Sequence, residues 1–241
     1  MSRIILKLSG EALAGENDGA ARNEKGAVKL YDEQTIAGIA AQVKELHEAG
    51  HEIGVVTGGG NIWRGRTSEN IERTKADQIG MLATVMNCLY VSEIFRRAGL
   101  RTQVMTPFAC GTFTEQFSKD RAARCFEEGV VVFFAGGTGH PYFSTDTGIV
   151  LRAVEVDADM ILMAKNVDGV YDSDPAKNPD AKRYDRLTYE EVVERNLQAV
   201  DMTSSVLAKE NGMEMRIFAL QAERSIVRAA GGDFDGTTIT A

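Results

Sequence analysis

The sequence predicts an α/β protein built on a mostly parallel sheet covered by helices, on three observations. Strand-like and helix-like runs alternate nearly from end to end, the pattern of strands joined by helical crossovers. Three glycine-rich turns, Lys7-Leu8-Ser9-Gly10, Gly58-Gly59-Gly60-Asn61 and Gly136-Gly137-Thr138-Gly139, each come directly after a strand-like run. The 241 residues, 44% of them hydrophobic, are enough to bury a full core in one domain with two lobes.

In chain order, Arg3 to Leu8 reads as a buried strand, and the polar, glycine-containing stretch Gly15 to Gly26 as a loop. Ile36, Ile39, Ala40, Val43 and Leu46 recur at helical spacing. Glu52 to Thr57 is a strand, and Asp77 to Phe95 a helix with Met81, Leu82, Val85, Met86 and Leu89 on one face, a stripe suited to core or subunit contact. Strands follow at Arg101 to Thr106 and Val130 to Ala135, with a helix at Lys119 to Glu128 between them and another at Asp146 to Val156. Asp159 to Ala164 is a further strand. The prolines of Asp174 to Pro179 forbid regular structure there and mark a functional loop. Helices at Tyr189 to Arg195, Thr203 to Asn211 and Glu223 to Ala230, with strands at Met215 to Leu220 and Thr237 to Thr240, complete the chain.

A net charge of -8 argues against a general binder of nucleic acid or of anionic lipid, since both need a cationic surface. Cys88, Cys110 and Cys125 form neither a disulfide framework nor a zinc pattern, which suits a reducing cytoplasm. The apolar run at the amino terminus is too short for a signal peptide, and no hydrophobic stretch reads as long enough to span a bilayer, so a soluble, unprocessed chain is expected.

The chemistry concentrates in the glycine turns. In an open α/β sheet, ligands bind beyond the carboxyl ends of the strands, so the three turns can converge on one crevice. The third turn runs into Ser144-Thr145-Asp146 at a helix start, where bare backbone N–H groups face an anion. The GxGxxG pattern fails at Trp63 and at Tyr142, and neither a GxxxxGK[ST] loop nor a GxSxG elbow occurs. A dehydrogenase, a P-loop kinase and an α/β hydrolase are thereby disfavoured. Phosphoryl transfer asks mainly for charge neutralisation around the moving group. Lys7 can supply a point charge, Arg64 a forked clamp, and Asp146 can orient cations or face a magnesium ion carried by nucleotide phosphates. Each also has an ordinary reading: a solvated lysine, a surface arginine, an acid favouring a helix dipole. His47, His51 and His140 have no ligand spacing.

Taken together, Lys7-Leu8-Ser9-Gly10-Glu11-Ala12-Leu13, Gly58 to Gly65, Asp77 with Gly80 to Asn87, the Gly136 to Asp146 loop, and Val167-Asp168-Gly169-Val170-Tyr171 with Asp174-Pro175 resemble the bacterial UMP kinases of the amino acid kinase superfamily. The resemblance implies a three-layer sandwich of amino acid kinase type. It implies a UMP-binding and oligomerisation lobe over about 1–150, an ATP-binding lobe over about 151–241, and cytoplasmic homohexamers acting in pyrimidine biosynthesis. Lys7, Leu8, Ser9, Gly10, Gly60 and Arg64 would serve ATP, as would Lys165 or Asn166, Tyr171 and Asp174. Of the two at 165 and 166, the amide of Asn166 is favoured. Gly59, Asp77 and the span Thr138, Gly139, His140, Pro141, Tyr142, Phe143, Ser144 and Thr145 would hold UMP, with Asp77 accepting from ribose hydroxyls. Lys7 is implied for charge stabilisation in transfer, and Asp146 and Asp201 for orienting lysine or magnesium, which arrives with ATP and has no dedicated protein ligands. Asp159 also matches a family aspartate, but just before a strand a turn or cap residue is an equal reading. The rivals are a small-carboxylate kinase of the same fold and a non-catalytic nucleotide sensor. Asp77 and the Tyr142 to Thr145 run speak against the first, and Lys7 with two acids against the second.

Overall fold

The computed structural model describes residues 1–14, 29–63, 71–197 and 200–241. The expected loop at Gly15 to Gly26 and the expected clamp Arg64 lie outside the described residues.

Nine strands form one sheet among the described residues. In chain order they are β1 (Arg3–Leu8), β2 (Glu52–Thr57), β3 (Thr102–Thr106), β4 (Glu115–Gln116), β5 (Val131–Phe134) and β6 (Met160–Lys165). After β7 (Val170–Tyr171) and β8 (Arg183–Tyr184), which pair only with each other, come β9 (Arg186–Thr188), β10 (Glu214–Ala219) and β11 (Gly236–Thr240). The order across the main sheet is β4-β3-β5-β2-β1-β6-β10-β11-β9. Every ladder in it is parallel except β10 with β11. From β1 the chain first builds the sheet toward β3, then returns to add β6 on the other side of β1. That reversal leaves a crevice at the carboxyl ends of β1 and β6.

The helices are α1 (Gly10–Leu13), α2 (Glu33–Glu48), α3 (Arg73–Arg97), α4 (Lys119–Glu127), α5 (Thr145–Glu155), α6 (Tyr189–Glu194), α7 (Met202–Glu210) and α8 (Ser225–Gly231). They make two layers, because strand alternation sends successive side chains to opposite faces. Ile4, Leu6 and Leu8 of β1 join the core shared with α2, α3 and α8. Ile5 joins the opposite core, shared with α4, α5, α6 and α7. Both faces are covered, so the strands read as near-continuous apolar runs, and each fully buried aliphatic side chain contributes about 2 kcal/mol.

The predicted strands and helices are present to within a few residues, and α3 begins four residues early because Glu72 caps it through the Thr74 N–H. Ser9 caps a one-turn helix, α1, where the sequence suggested only a turn. The two-residue strands β4, β7 and β8 and the short β9 were not anticipated, being too short to show a period. The stripe on α3 divides: Val85 is buried, but Leu82 and Met86 are 52% and 51% exposed. By length and composition alone α3 is apolar enough to cross a bilayer, and half of that window is buried inside the protein. Arg73 at its first position and Arg96 and Arg97 in its last turn bound it. Asp159 accepts the Arg3 backbone N–H at 2.6 Å, tying β1 to β6 at the amino ends of the strands, away from the crevice. That is the turn-residue reading.

Candidate active site

At the carboxyl ends of β1 and β6, the period of two places Lys7 on the same sheet face as Ile5, and Lys165 on the face of Ile161 and Met163. Both lysines therefore point toward α5. Asp146, in the first turn of that helix, accepts a hydrogen bond from Lys7 Nζ through Oδ1, and its Oδ2 lies 4.0 Å from Lys165 Nζ. Burial pushes the Lys165 ammonium below its ordinary value, Asp146 pulls it back up, and Lys7 pushes it down again. The Ser144 hydroxyl, as N-cap, accepts from the Asp146 and Thr147 N–H groups and holds the carboxylate in place. Such a cap is worth about 1 kcal/mol.

Asp201 stands behind this cap. It accepts from the hydroxyls of Ser144 and Thr147 and from the Ser204 N–H, capping α7 while tying it to α5. It is absent from the walls of both cavities described below, but its charge helps to raise the Lys165 ammonium back toward its ordinary value.

The first cavity, about 310 Å³, opens beside Lys7 and Asp146. Gly59, Gly60, Asp77, Thr138, His140 and Phe143 line it, together with Ser144 and Thr145. Gly60, expected on the ATP side, thus shares a wall with Gly59. The two turns that form this corner meet backbone to backbone: a Cβ on Gly10 would lie 2.6 Å from the Gly60 nitrogen. Below them Asn87, fully buried, donates to the Gly58 carbonyl at 2.7 Å and bridges to Asn61 and the Tyr31 hydroxyl. Burial pushes the Tyr31 phenol up to about 12.

The Gly136 to Tyr142 loop forms the far wall. Its Gly136 N–H donates to Thr84 Oγ1 at 2.8 Å, and the Thr138 hydroxyl oxygen accepts the His140 N–H at 3.2 Å. Gly139 has φ +84, and a Cβ there would lie 2.9 Å from Pro107, so this turn admits only glycine. Tyr142, with φ 73, donates its N–H to Asp77 Oδ2 at 2.8 Å. The same oxygen accepts from Arg73 Nε at 2.7 Å, and the Arg73 guanidinium lies 5.3 Å from the Tyr142 ring centre. Asp77 accordingly latches the loop to α3. Gly139, Pro141 and Tyr142 shape the loop without lining the cavity, and Leu8, Ser9 and Gly10 are likewise off its walls.

A second cavity, about 490 Å³, lies on the other side of Lys165 and is lined by Tyr171 and Asp174. Asn166 is exposed and off its walls; Lys165 lines it instead. Asp168 accepts from the Tyr171 hydroxyl and from Arg183 Nη1, each at 2.7 Å. Burial pushes Asp168 up, but these two donors hold its carboxyl below the ordinary range. Gly169 is required beside them, since a Cβ would lie 2.7 Å from Arg183 Cδ.

Sequence reasoning assigned no role to Trp63, Arg73, Gly80 or Asp168. Trp63, Gly80 and Asp168 sat inside the quoted motifs, but nothing in their spacing says which way they point. His47 and His51 lie at the end of α2, away from the crevice. Among the described residues no three His, Cys, Asp or Glu side chains cluster to hold a metal ion.

Two cavities that meet at a Lys7–Asp146–Lys165 cluster, over the reversal point of a parallel α/β sheet, define a class: a two-ligand site for handling anionic groups. The model of the amino acid kinase family matches residues 2–219, and the chain belongs to that family. The chain is similar over its whole length to the crystal structure of UMP kinase from Bacillus anthracis, with TM-score 0.90 and 33% identity, covering 99% of this chain and 96% of that one. It is equally similar to the crystal structure of UMP kinase from Ureaplasma parvum, with TM-score 0.90 and 32% identity, covering 100% and 99%.

Proposed function

We propose that this chain catalyses ATP-dependent phosphorylation of UMP to UDP, a step of pyrimidine nucleotide biosynthesis. The observation that carries the reading is the lysine–aspartate cluster standing between two cavities, one faced by Lys7 and Asp146 and the other by Lys165. Full-length similarity to two UMP kinases supports the choice of reaction and acceptor.

In this reading UMP occupies the cavity of Gly59, Asp77 and the Thr138 to Thr145 loop, and the ATP base and ribose lie by Tyr171 and Asp174. The boundary between an acceptor lobe over about 1–150 and a donor lobe over about 151–241 is supported by the split of these walls. A UMP phosphate oxygen attacks the γ-phosphorus, forming one P–O bond as the bond to the β–γ bridging oxygen breaks. ADP leaves with that oxygen. The attacking phosphate is already an anion, so no general base is needed. Lys7 faces the charge that spreads over the transferred group, and Lys165 faces the donor phosphates. For this, Lys7 must shift from Asp146 to the phosphoryl oxygens, while Asp146 favours the charged form of Lys165.

Magnesium is carried by the nucleotide. One carboxylate beside substrate phosphates suits an ion that binds through one or two carboxylates and keeps several waters, and Asp146 is the residue that would face it. The ion neutralises phosphate charge when bound. A homo-oligomer, hexameric by family resemblance, is supported by the exposed apolar residues Ile79, Leu82 and Met86 of α3. A reducing cytoplasm is supported by three cysteines that are all free.

The test is ADP release from magnesium-ATP with UMP, CMP, AMP, aspartate or acetylglutamate as acceptor. UMP is expected to give the fastest rate, and equal near-zero rates for all acceptors would sink the reading. In the same assay Lys7→Ala is expected to lose at least roughly two orders of magnitude in kcat, the scale for a removed transition-state charge, while circular dichroism stays unchanged. Near-normal turnover would mean that Lys7 has been given the wrong role.

A further inference from the structure

Among the described residues, three glycines stand inside helices of eight or more residues: Gly38 in α2, Gly80 in α3 and Gly148 in α5. Glycine is a poor helix former, so each position asks for a reason. Gly148 has one in packing, since a Cβ there would lie 3.3 Å from the Gly137 backbone. Gly38 is exposed, with nothing within 4 Å of a Cβ, and nothing in the structure explains it.

Gly80 is a third case. A Cβ there would meet only Trp63 Cδ1, at 3.8 Å, an ordinary contact. Packing therefore does not forbid a side chain. Yet Gly80 does not face open solvent; it lines the acceptor cavity, on the helical face it shares with Arg73, Asp77 and Thr84. Trp63 cannot swing aside, because its indole N–H donates to the Ala76 carbonyl at 2.9 Å and its own N–H to the Gly59 carbonyl at 2.9 Å. The turn is seated against the helix as well: a Cβ on Gly59 would lie 3.0 Å from the Gly80 carbonyl oxygen. A rigid floor of backbone and indole is thus left bare at one spot, one turn along α3 from Asp77.

We propose that Gly80 is a specificity-determining position of the acceptor site: its missing side chain is the space taken by the sugar and base of a nucleoside monophosphate lying against Trp63. This rests on the reading of UMP as acceptor. A small carboxylate would have no use for that space.

Three variants test it: Gly80→Ala, Gly80→Leu and, as control, Gly38→Ala. Without ligand, Gly80→Ala and Gly38→Ala are each expected to raise Tm by about 2–4 °C, the gain from replacing a helical glycine in a chain of this size. Gly38→Ala should keep the wild-type KM for UMP. Gly80→Ala should raise it about tenfold, as overfilling a fitted site does, and Gly80→Leu should abolish the rise in Tm that UMP gives the wild type. KM for magnesium-ATP should stay within about twofold in all three, on the same principle, because no methyl group has been added on the donor side. An unchanged KM for UMP in Gly80→Ala, or an equal rise in KM for ATP, would overturn the proposal. A wild-type chain that neither turns over UMP nor gains Tm from it would instead overturn the choice of acceptor.

Discussion

Lys165 carries the clearest residue-scale consequence. Its ammonium is held below its ordinary value chiefly by burial, so the folded chain releases this proton at a lower pH than the unfolded chain does. Between the two values the unfolded state binds more protons, and stability rises with pH. In the proposed reaction activity should move the opposite way, because an uncharged amine would no longer attract donor phosphates. kcat/KM for magnesium-ATP, which reports groups of the free enzyme, is expected to fall on the alkaline side before an ordinary lysine would titrate, over the same window in which Tm rises. Lys165→Met should flatten both profiles at a lower kcat/KM. A profile identical to wild type in that variant would remove Lys165 from donor binding. The residue also marks a limit of sequence reading. An amide suits a nucleotide on chemical grounds, which favoured Asn166, but strand alternation and the end of β6 at Lys165 decide which of the two neighbours turns into the crevice.

The second cavity, proposed to take ATP, depends on a small element, the two-residue pair β7 and β8, whose register sets Tyr171 opposite Arg183. Asp168 bonds both side chains, so it fixes the aromatic wall from behind without lining the cavity itself. Asp168→Ala is expected to raise KM for ATP roughly tenfold, since hydrogen bonds to charged groups are worth about 1.5–3 kcal/mol, with kcat and KM for UMP little changed. Asp168→Asn, which keeps an acceptor for the phenol, should recover most of the loss. Equal losses in kcat and in both KM values would mark a general structural role instead. At this scale the long periodic elements were legible: the apolar spacing in α2 and the buried runs of β1, β2 and β5 state their own structure. The pair β7 and β8 was not, because two residues carry no period and their pairing spans a proline-containing loop. Asp201 was legible only in part for a related reason: its place in sequence does not tell that the carboxylate also caps α7 and bonds Ser144 and Thr147.

At the scale of the whole molecule, the same helix serves two surfaces. One face of α3 meets the sheet through Val85, Cys88, Val91 and Phe95, while Leu82 and Met86 stand in solvent. A second copy of this chain is the occupant proposed for that face. Leu82→Glu is accordingly expected to lower the sedimenting mass without lowering helical content, and an unchanged mass would take α3 out of the subunit contact. The layered class was legible because parallel strands buried on both sides read as apolar runs separated by helical spacings. The order of the strands was not, since nothing local says that β6 returns to the far side of β1.

That position of β1 bears on how the chain reaches its folded state. The strand is the middle one of nine, with Ile4 paired to Ile53 on one side and to Met160 on the other. During synthesis the first strand to emerge is thus among the last to be enclosed: its apolar residues wait for a partner made more than half a chain later. Contacts so distant in sequence slow folding and prolong the exposure of unpaired edges. Lys7 and Lys165, the two charges on which transfer depends in the proposed reaction, are brought side by side only when that wait ends.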